Sequence, residues 1–150
     1  EASIVSAVIP YEEGAKEKYI DALVAAIVLY HHGVEPGRGK ERHVLKKIVK
    51  SISYLRRRMN ISLEQIEQDG RKFEGIEFET ANESAEKLKQ EIIAYEQQLI
   101  KFTDYAKNQV HAHKLRNDMG EKLLIKLKRE GANMGILPPE IEDVVSHALN

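Results

Sequence analysis

The chain has 150 residues, of which 42% are hydrophobic and 31% charged, a composition typical of a folded globular protein. It contains no cysteine, which excludes disulfides, thiolate catalysis and cysteine-ligated zinc. Its 23 basic and 24 acidic residues give a formal net charge of -1, so a strongly charged surface requires an uneven distribution along the chain. The length fits one domain, residues 1–150. We favour a cytoplasmic location, although composition does not fix the compartment.

The first predicted helix begins near Pro10, because proline suits a first turn and the acids after it complement the helix dipole. Apolar residues then recur at helical spacing up to Tyr30, and residues 22–30 are apolar nearly all round. That run is far shorter than the roughly 20 residues that a membrane span requires. We therefore predict a central, buried helix and no membrane span. Gly33 ends this helix, and residues 34–39 form a predicted loop.

The second predicted helix, residues 40–59, holds eight of the 23 Lys and Arg residues and a single acid. Its apolar residues follow helical steps, which predicts an apolar inner face and a basic outer face: Leu45, Ile48, Ile52, Leu55 and Met59. Lys and Arg clustered along one helix face are typical of phosphate contact with nucleic acid. We predict that eight residues make this contact: Arg38, Lys40, Arg42, Lys46, Lys47, Lys50, Arg57 and Arg58.

Other interpretations of this basic segment stay open. It could be a solvated face that pairs with the acidic residues 61–100, within one chain or between chains. It could instead dock an acidic protein partner, which would make the chain a protein-only adaptor or structural subunit. An acidic membrane surface is disfavoured, because the apolar face lacks Trp and Phe. Tyr54 is the segment's single aromatic residue, so stacking on single-stranded bases is poorly supported.

A third helix is predicted from Ser62 to about Gln68, because a serine followed three residues later by glutamine forms a capping box. Gly70 and Gly75 are expected to interrupt the chain after it. The alternation in IEFE, residues 76–79, predicts a short extended segment.

Residues 80–117 carry the most regular apolar pattern in the chain, and Thr80 begins them with a second capping box. At 1.5 Å per residue this helix would be roughly 55 Å long. Its heptad spacing is typical of a coiled coil or a helical bundle. Because so long an apolar stripe is hard to cover within one small domain, we predict a homo-oligomer that associates through five residues: Leu88, Ile92, Tyr95, Leu99 and Phe102.

Shorter helices are predicted to complete the chain. Asn117 and Gly120 weaken the long helix, and residues 121–130 are helical again. The sequence GANMG, residues 131–135, is a predicted break, and Pro138 leads into an amphipathic closing helix. The sequence thus predicts an all-α helical bundle with one long heptad-patterned helix.

No phosphate-binding loop, nucleophile elbow or HExxH motif occurs in the sequence. His31 and His32 lie at the end of the first predicted helix, where the dipole favours a cationic imidazole. His111 and His113 are two residues apart on a helix, so their side chains point in nearly opposite directions and do not form a metal-binding pair. We therefore expect no metal, no cofactor and no catalysis.

The spacing of Arg38 and His43 resembles the Arg-x4-His spacing of helical ribonucleases of the HEPN class. Those enzymes usually have a polar residue directly after the arginine, whereas this chain has Gly39, and Arg38 lies in a predicted loop. A small helical ribonuclease is therefore the least favoured alternative. We predict a non-enzymatic binding or assembly protein.

Overall fold

The computed structural model describes residues 14–79 and 83–150, and this part of the chain is all-α, as predicted. It contains six helices: α1 Ala15–His31, α2 Lys40–Met59, α3 Leu63–Phe78, α4 Ser84–Leu115, α5 Glu121–Asn133 and α6 Pro138–Leu149. The predicted helix start at Pro10 and the predicted capping box at Thr80 lie outside the described residues. Coiled-coil packing of the long helix stays a prediction.

The described residues divide into two compact units, and α4 contributes to both. The first unit contains α1, α2, α3 and the N-terminal part of α4, up to Ala94. The second unit begins at Tyr95 and contains the rest of α4 with α5 and α6. The single domain predicted for residues 1–150 stays a prediction.

The first unit has a mainly aliphatic core to which each of its four helices contributes. Eight of the core side chains are 0% exposed, two alanines and six larger residues: Ala26, Ala85, Ile27, Leu45, Ile52, Ile66, Leu88 and Ile92. Complete burial of one of the larger side chains contributes about 1.5–3 kcal/mol. This shared core fixes which face of α2 points outward.

The second unit is built around the C-terminal part of α4, whose Phe102 is completely buried with Leu127 of α5 and Val144 of α6 in its core. The Tyr95 hydroxyl donates a 2.6 Å hydrogen bond to the buried Glu140 carboxylate and accepts one from the Leu137 backbone N–H at 3.0 Å. Tyr95 thereby joins α4 to the start of α6.

The five residues predicted for self-association are all buried within the chain. Leu88 and Ile92 lie in the core of the first unit, whereas Tyr95, Leu99 and Phe102 lie in the core of the second. Two separate sets of helices therefore cover the apolar stripe of α4. The sequence predicted that another copy of the chain would cover it. Self-association through these residues stays a prediction, and within one copy of the chain their side chains are buried.

Local sequence signals account for most of the helix ends. Ser62 caps α3, and its hydroxyl accepts the Gln65 backbone N–H at 3.0 Å, as the capping box predicts. The helices α1 and α4 end before left-handed residues, Gly33 with φ 83° and Asn117 with φ 54°. In both places the N–H of the left-handed residue and that of the residue after it bond back to carbonyls of the last turn, which satisfies two carbonyls at the helix end.

The break predicted after Gln68 was wrong and the one predicted at residues 131–135 begins later than Gly131, and both regions contain a glycine in close packing. Helix α3 continues through Gly70 and Gly75 to Phe78, so residues 76–79 do not form an extended segment. A Cβ at Gly70 would lie 3.0 Å from Ile27 Cδ1. Helix α5 likewise passes through Gly131, and it ends only before Gly135, whose φ is 77°. Gly70 and Gly131 lie inside helices without a left-handed backbone, whereas the left-handed Gly135 follows the end of α5.

Candidate nucleic-acid interface

The basic residues of α2 and of the loop before it form the candidate interface. The inner face of α2 is buried through Leu45, Val49 and Ile52, as the apolar spacing predicts. The opposite face is exposed at Arg38, Lys40, Arg42, Lys46 and Lys47. Lys50, Arg57 and Arg58 are half-buried. Of the eight predicted residues, five are therefore exposed and three are half-buried.

Four of these cations have no acidic partner in the described part of the chain: Arg38, Lys40, Lys46 and Lys47. The acidic region instead uses bases of its own, because the Glu67 carboxylate is bound by Lys89 at 2.9 Å and by Arg71 at 2.5 Å. Arg42 donates from Nε to the Glu35 backbone carbonyl at 3.3 Å, which leaves its positive charge without a carboxylate. These contacts place no described acidic residue over the exposed part of the basic face.

Two arginines of α2 have fixed positions. Arg56 is buried and donates a 3.1 Å hydrogen bond to the Ile61 carbonyl, beyond the end of the helix. The guanidinium of Arg58 lies 4.8 Å from the centre of the Tyr54 ring and also bonds the Tyr54 hydroxyl. Sequence reasoning missed this pair, although a four-residue spacing places Tyr54 and Arg58 on one helix face. The ring holds one cation of the interface in position.

The surroundings of Lys50 lower the pKa of its ammonium group. Burial lowers the pKa of Lys50, and the positive charge of Lys46 one turn away lowers it further. Both effects disfavour the charged ammonium. A phosphate group beside these two lysines would reverse this effect, because an anion stabilises both positive charges.

Arg38 and His43, whose spacing resembles that of the helical ribonucleases, lie on different elements of the described structure. Arg38 lies in the loop before α2, and Gly39, with φ 92°, separates it from the helix that carries His43. Both side chains are exposed, and no hydrogen bond joins them. Within residues 14–79 and 83–150, no group of three or more histidine and acidic side chains could hold a metal ion.

Comparison with protein-family models, with curated proteins and with solved structures gave no match to this chain. Among the helices that the structure describes, none combines the length and the apolar character needed to cross a membrane.

Proposed function

We propose that the chain is a non-enzymatic helical binding protein that contacts nucleic acid phosphates through α2 and the loop before it. The observation that carries the proposal is the group of four exposed cations without an acidic partner among the described residues: Arg38, Lys40, Lys46 and Lys47. Lys and Arg on one helix face release counterions when they neutralise phosphates, which is the main source of sequence-independent affinity.

The length of the basic face is sufficient for several phosphates. From Lys40 to Arg58 the helix rises about 27 Å, at 1.5 Å per residue. One strand of duplex DNA carries a phosphate for about every 3.4 Å of the duplex axis, so an equal length of axis holds about eight of them. Lys40, Lys47, Tyr54 and Arg58 follow one another at steps of seven, seven and four residues, which keeps them on one face. Such contacts position the protein on the strand without reading its bases.

The decisive experiment is binding to generic duplex and single-stranded DNA and RNA at about 50 and 200 mM salt. Neutralisation of four phosphates predicts a loss of affinity of about 10²-fold across this range, and of eight phosphates a loss of about 10⁴-fold. The combined reversal Lys40→Glu, Lys46→Glu and Lys47→Glu is expected to remove binding. A matched control reverses three exposed lysines elsewhere, Lys101, Lys107 and Lys122, and is expected to retain most of it.

The results also distinguish the proposal from its main alternative, an adaptor that binds an acidic protein. If nucleic acid does not bind at the lower salt concentration, while an acidic peptide binds and is lost in the α2 reversal, the chain is an adaptor for an acidic protein. If both triple reversals weaken nucleic acid binding equally, basic residues throughout the chain and not those of α2 in particular are responsible. Either result contradicts the proposal.

We further propose that copies of the chain associate through the apolar groove between α1 and α3. The groove has a volume of about 580 Å³, and large apolar side chains stand exposed beside it, Ile20 at 45% and Ile76 at 71%. Contiguous exposed apolar surface is typical of protein–protein contacts. Ile76→Glu is expected to shift sedimentation toward a smaller species. Leu115→Glu, at an equally exposed position in the second unit, is expected to leave it unchanged.

A further inference from the structure

A second cavity of the first unit has the opposite charge to α2. It has a volume of about 530 Å³ and lies between the end of α1, the loop after it and the start of α4. This volume is within the range of sites that bind small molecules. Glu35 from the loop and Glu83, Glu86 and Glu91 from the region of α4 line the cavity. Lys87 is the only base among its described lining residues.

The four carboxylates are available to a ligand. None of them forms an ion pair with a described lysine, arginine or histidine. They are not gathered for one metal ion, because the described residues contain no group of three or more acids and histidines with that arrangement. Negative charge spread along a cavity wall instead suits a ligand whose positive charges are also spread out.

Tyr30 provides an independent sign of a ligand. Its side chain lines the cavity and is only 5% exposed, yet its hydroxyl has no hydrogen-bond partner in the described structure. Buried polar groups in native proteins are nearly always paired, so an unpaired one requires an explanation. Burial raises the pKa of Tyr30, and the negative charges of Glu91 and Glu35 raise it further, so the hydroxyl stays protonated. Its oxygen retains lone pairs that can accept an N–H.

Apolar groups complete the wall. The Tyr30 ring and Pro36 line the same cavity as the carboxylates. A ligand that matches both must alternate ammonium groups with short hydrocarbon segments. A compact inorganic cation would use the carboxylates but not the ring, the proline or the hydroxyl.

We propose that this cavity binds an aliphatic polyamine, with its ammonium groups beside Glu35, Glu86 and Glu91 and one N–H donated to the Tyr30 hydroxyl. The site uses none of the residues of the basic face, so it stands or falls independently of nucleic acid binding.

The test is calorimetric titration of the full chain with spermidine and putrescine at about 50 mM salt. Tyr30→Phe keeps every charge and removes only the hydroxyl, and the loss of one hydrogen bond predicts about 3- to 10-fold weaker binding of spermidine. The double variant Glu86→Gln and Glu91→Gln is expected to weaken it at least as much. The control Glu64→Gln and Glu77→Gln removes the same charge from exposed acids of α3 outside the cavity, and is expected to bind like the parent.

Several results would overturn the proposal. Equal weakening in the cavity and control variants would show diffuse attraction between polycation and protein. Unchanged affinity of Tyr30→Phe, with parental circular dichroism, would show that the hydroxyl does not meet the ligand. If Tyr30→Phe does not fold, the two double variants at exposed positions still decide. If a lysine-rich peptide binds in the cavity and spermidine does not, the ammonium groups come from a protein partner and not from a free polyamine.

Discussion

The substitution Gly131→Ala tests whether close packing of α5 is essential to the second unit. Gly131 lies inside α5 and is buried. An added Cβ would lie 2.8 Å from Phe102 Cζ and 2.8 Å from Ile141 Cγ1. Real Cβ contacts are longer than 3.0 Å, so both neighbours must move by several tenths of an ångström. One neighbour is the tip of a rigid, completely buried ring, and the other atom is close to its own backbone.

Two effects of opposite sign determine the size of the change. Alanine is favoured over glycine in a helix by about 0.8–1 kcal/mol. Inserting a methyl group into a close-packed core costs about 1–3 kcal/mol. Because the two neighbours of Gly131 are rigid, we expect the second effect to dominate, with a net destabilisation of about 1–2 kcal/mol.

Gly75→Ala is the matched control, because Gly75 also lies inside a helix but nothing lies within 4 Å of the position of its Cβ. We expect this variant to gain about 0.5–1 kcal/mol from helix propensity alone. Urea denaturation followed by circular dichroism measures both changes. The same chemical substitution should thus have opposite effects at Gly131 and Gly75.

A double-mutant cycle separates packing from other causes. Phe102→Leu removes the ring tip that the new methyl group would meet, so it should be less harmful in the Gly131→Ala background than in the parent, by at least 0.5 kcal/mol, as expected for residues in contact. If Gly131→Ala is as stable as the parent, or if the two substitutions act additively, the reasoning from close approach is refuted.

Three further predictions concern polar groups. His31→Ala is expected to cost about 2–3 kcal/mol on denaturation, since Glu74 is 0% exposed and loses its 2.8 Å contact with the imidazole. Tyr95→Phe is expected to cost a similar amount, about 2–3 kcal/mol, because the buried Glu140 loses a donor; little change in unfolding would contradict this. The pKa of Lys50 is lower in the folded chain than in the unfolded chain. At a pH between these two pKa values the unfolded chain binds more protons than the folded chain, so the free energy of unfolding rises with pH in that range. Over the same window nucleic acid affinity should fall, and Lys50→Arg, which stays charged, should reduce that fall in anisotropy titrations at about pH 8 and 10.

The controls for these predictions use conservative variants. His32→Ala, at the exposed neighbour of His31, is expected to leave stability within about 0.5 kcal/mol of the parent. Lys122→Arg, at an exposed position of α5, is expected to leave the pH dependence of binding unchanged. If Lys50→Arg has no effect on that dependence either, Lys50 does not contact the nucleic acid.

The helical class, the six helices of the described residues and most of their ends followed from the sequence, because they depend on local chemistry. The 3.6-residue period identified the buried face of α2 and hence its basic outer face, and a serine with a glutamine three residues later marked the start of α3. The eight cations of the candidate interface could be named in advance for the same reason: they occupy neighbouring positions on a single helix and its preceding loop. The close packing at Gly70 and Gly131 could not be predicted from the sequence, because at each glycine it involves a side chain more than 25 residues away along the chain.

The sequence by itself determined which residues of each helix are apolar, and therefore that α4 carries a continuous apolar stripe. Only the tertiary structure decided what covers that stripe: Leu88 and Ile92 pack with the first unit, and Leu99 and Phe102 with the second. The acidic cavity likewise depends on the tertiary structure, because Tyr30, at the end of α1, lines it together with glutamates of α4 that are more than 50 residues away in the sequence. The period of the apolar residues shows which face of a helix is buried and which faces water. The residues that cover the buried face depend on long-range packing.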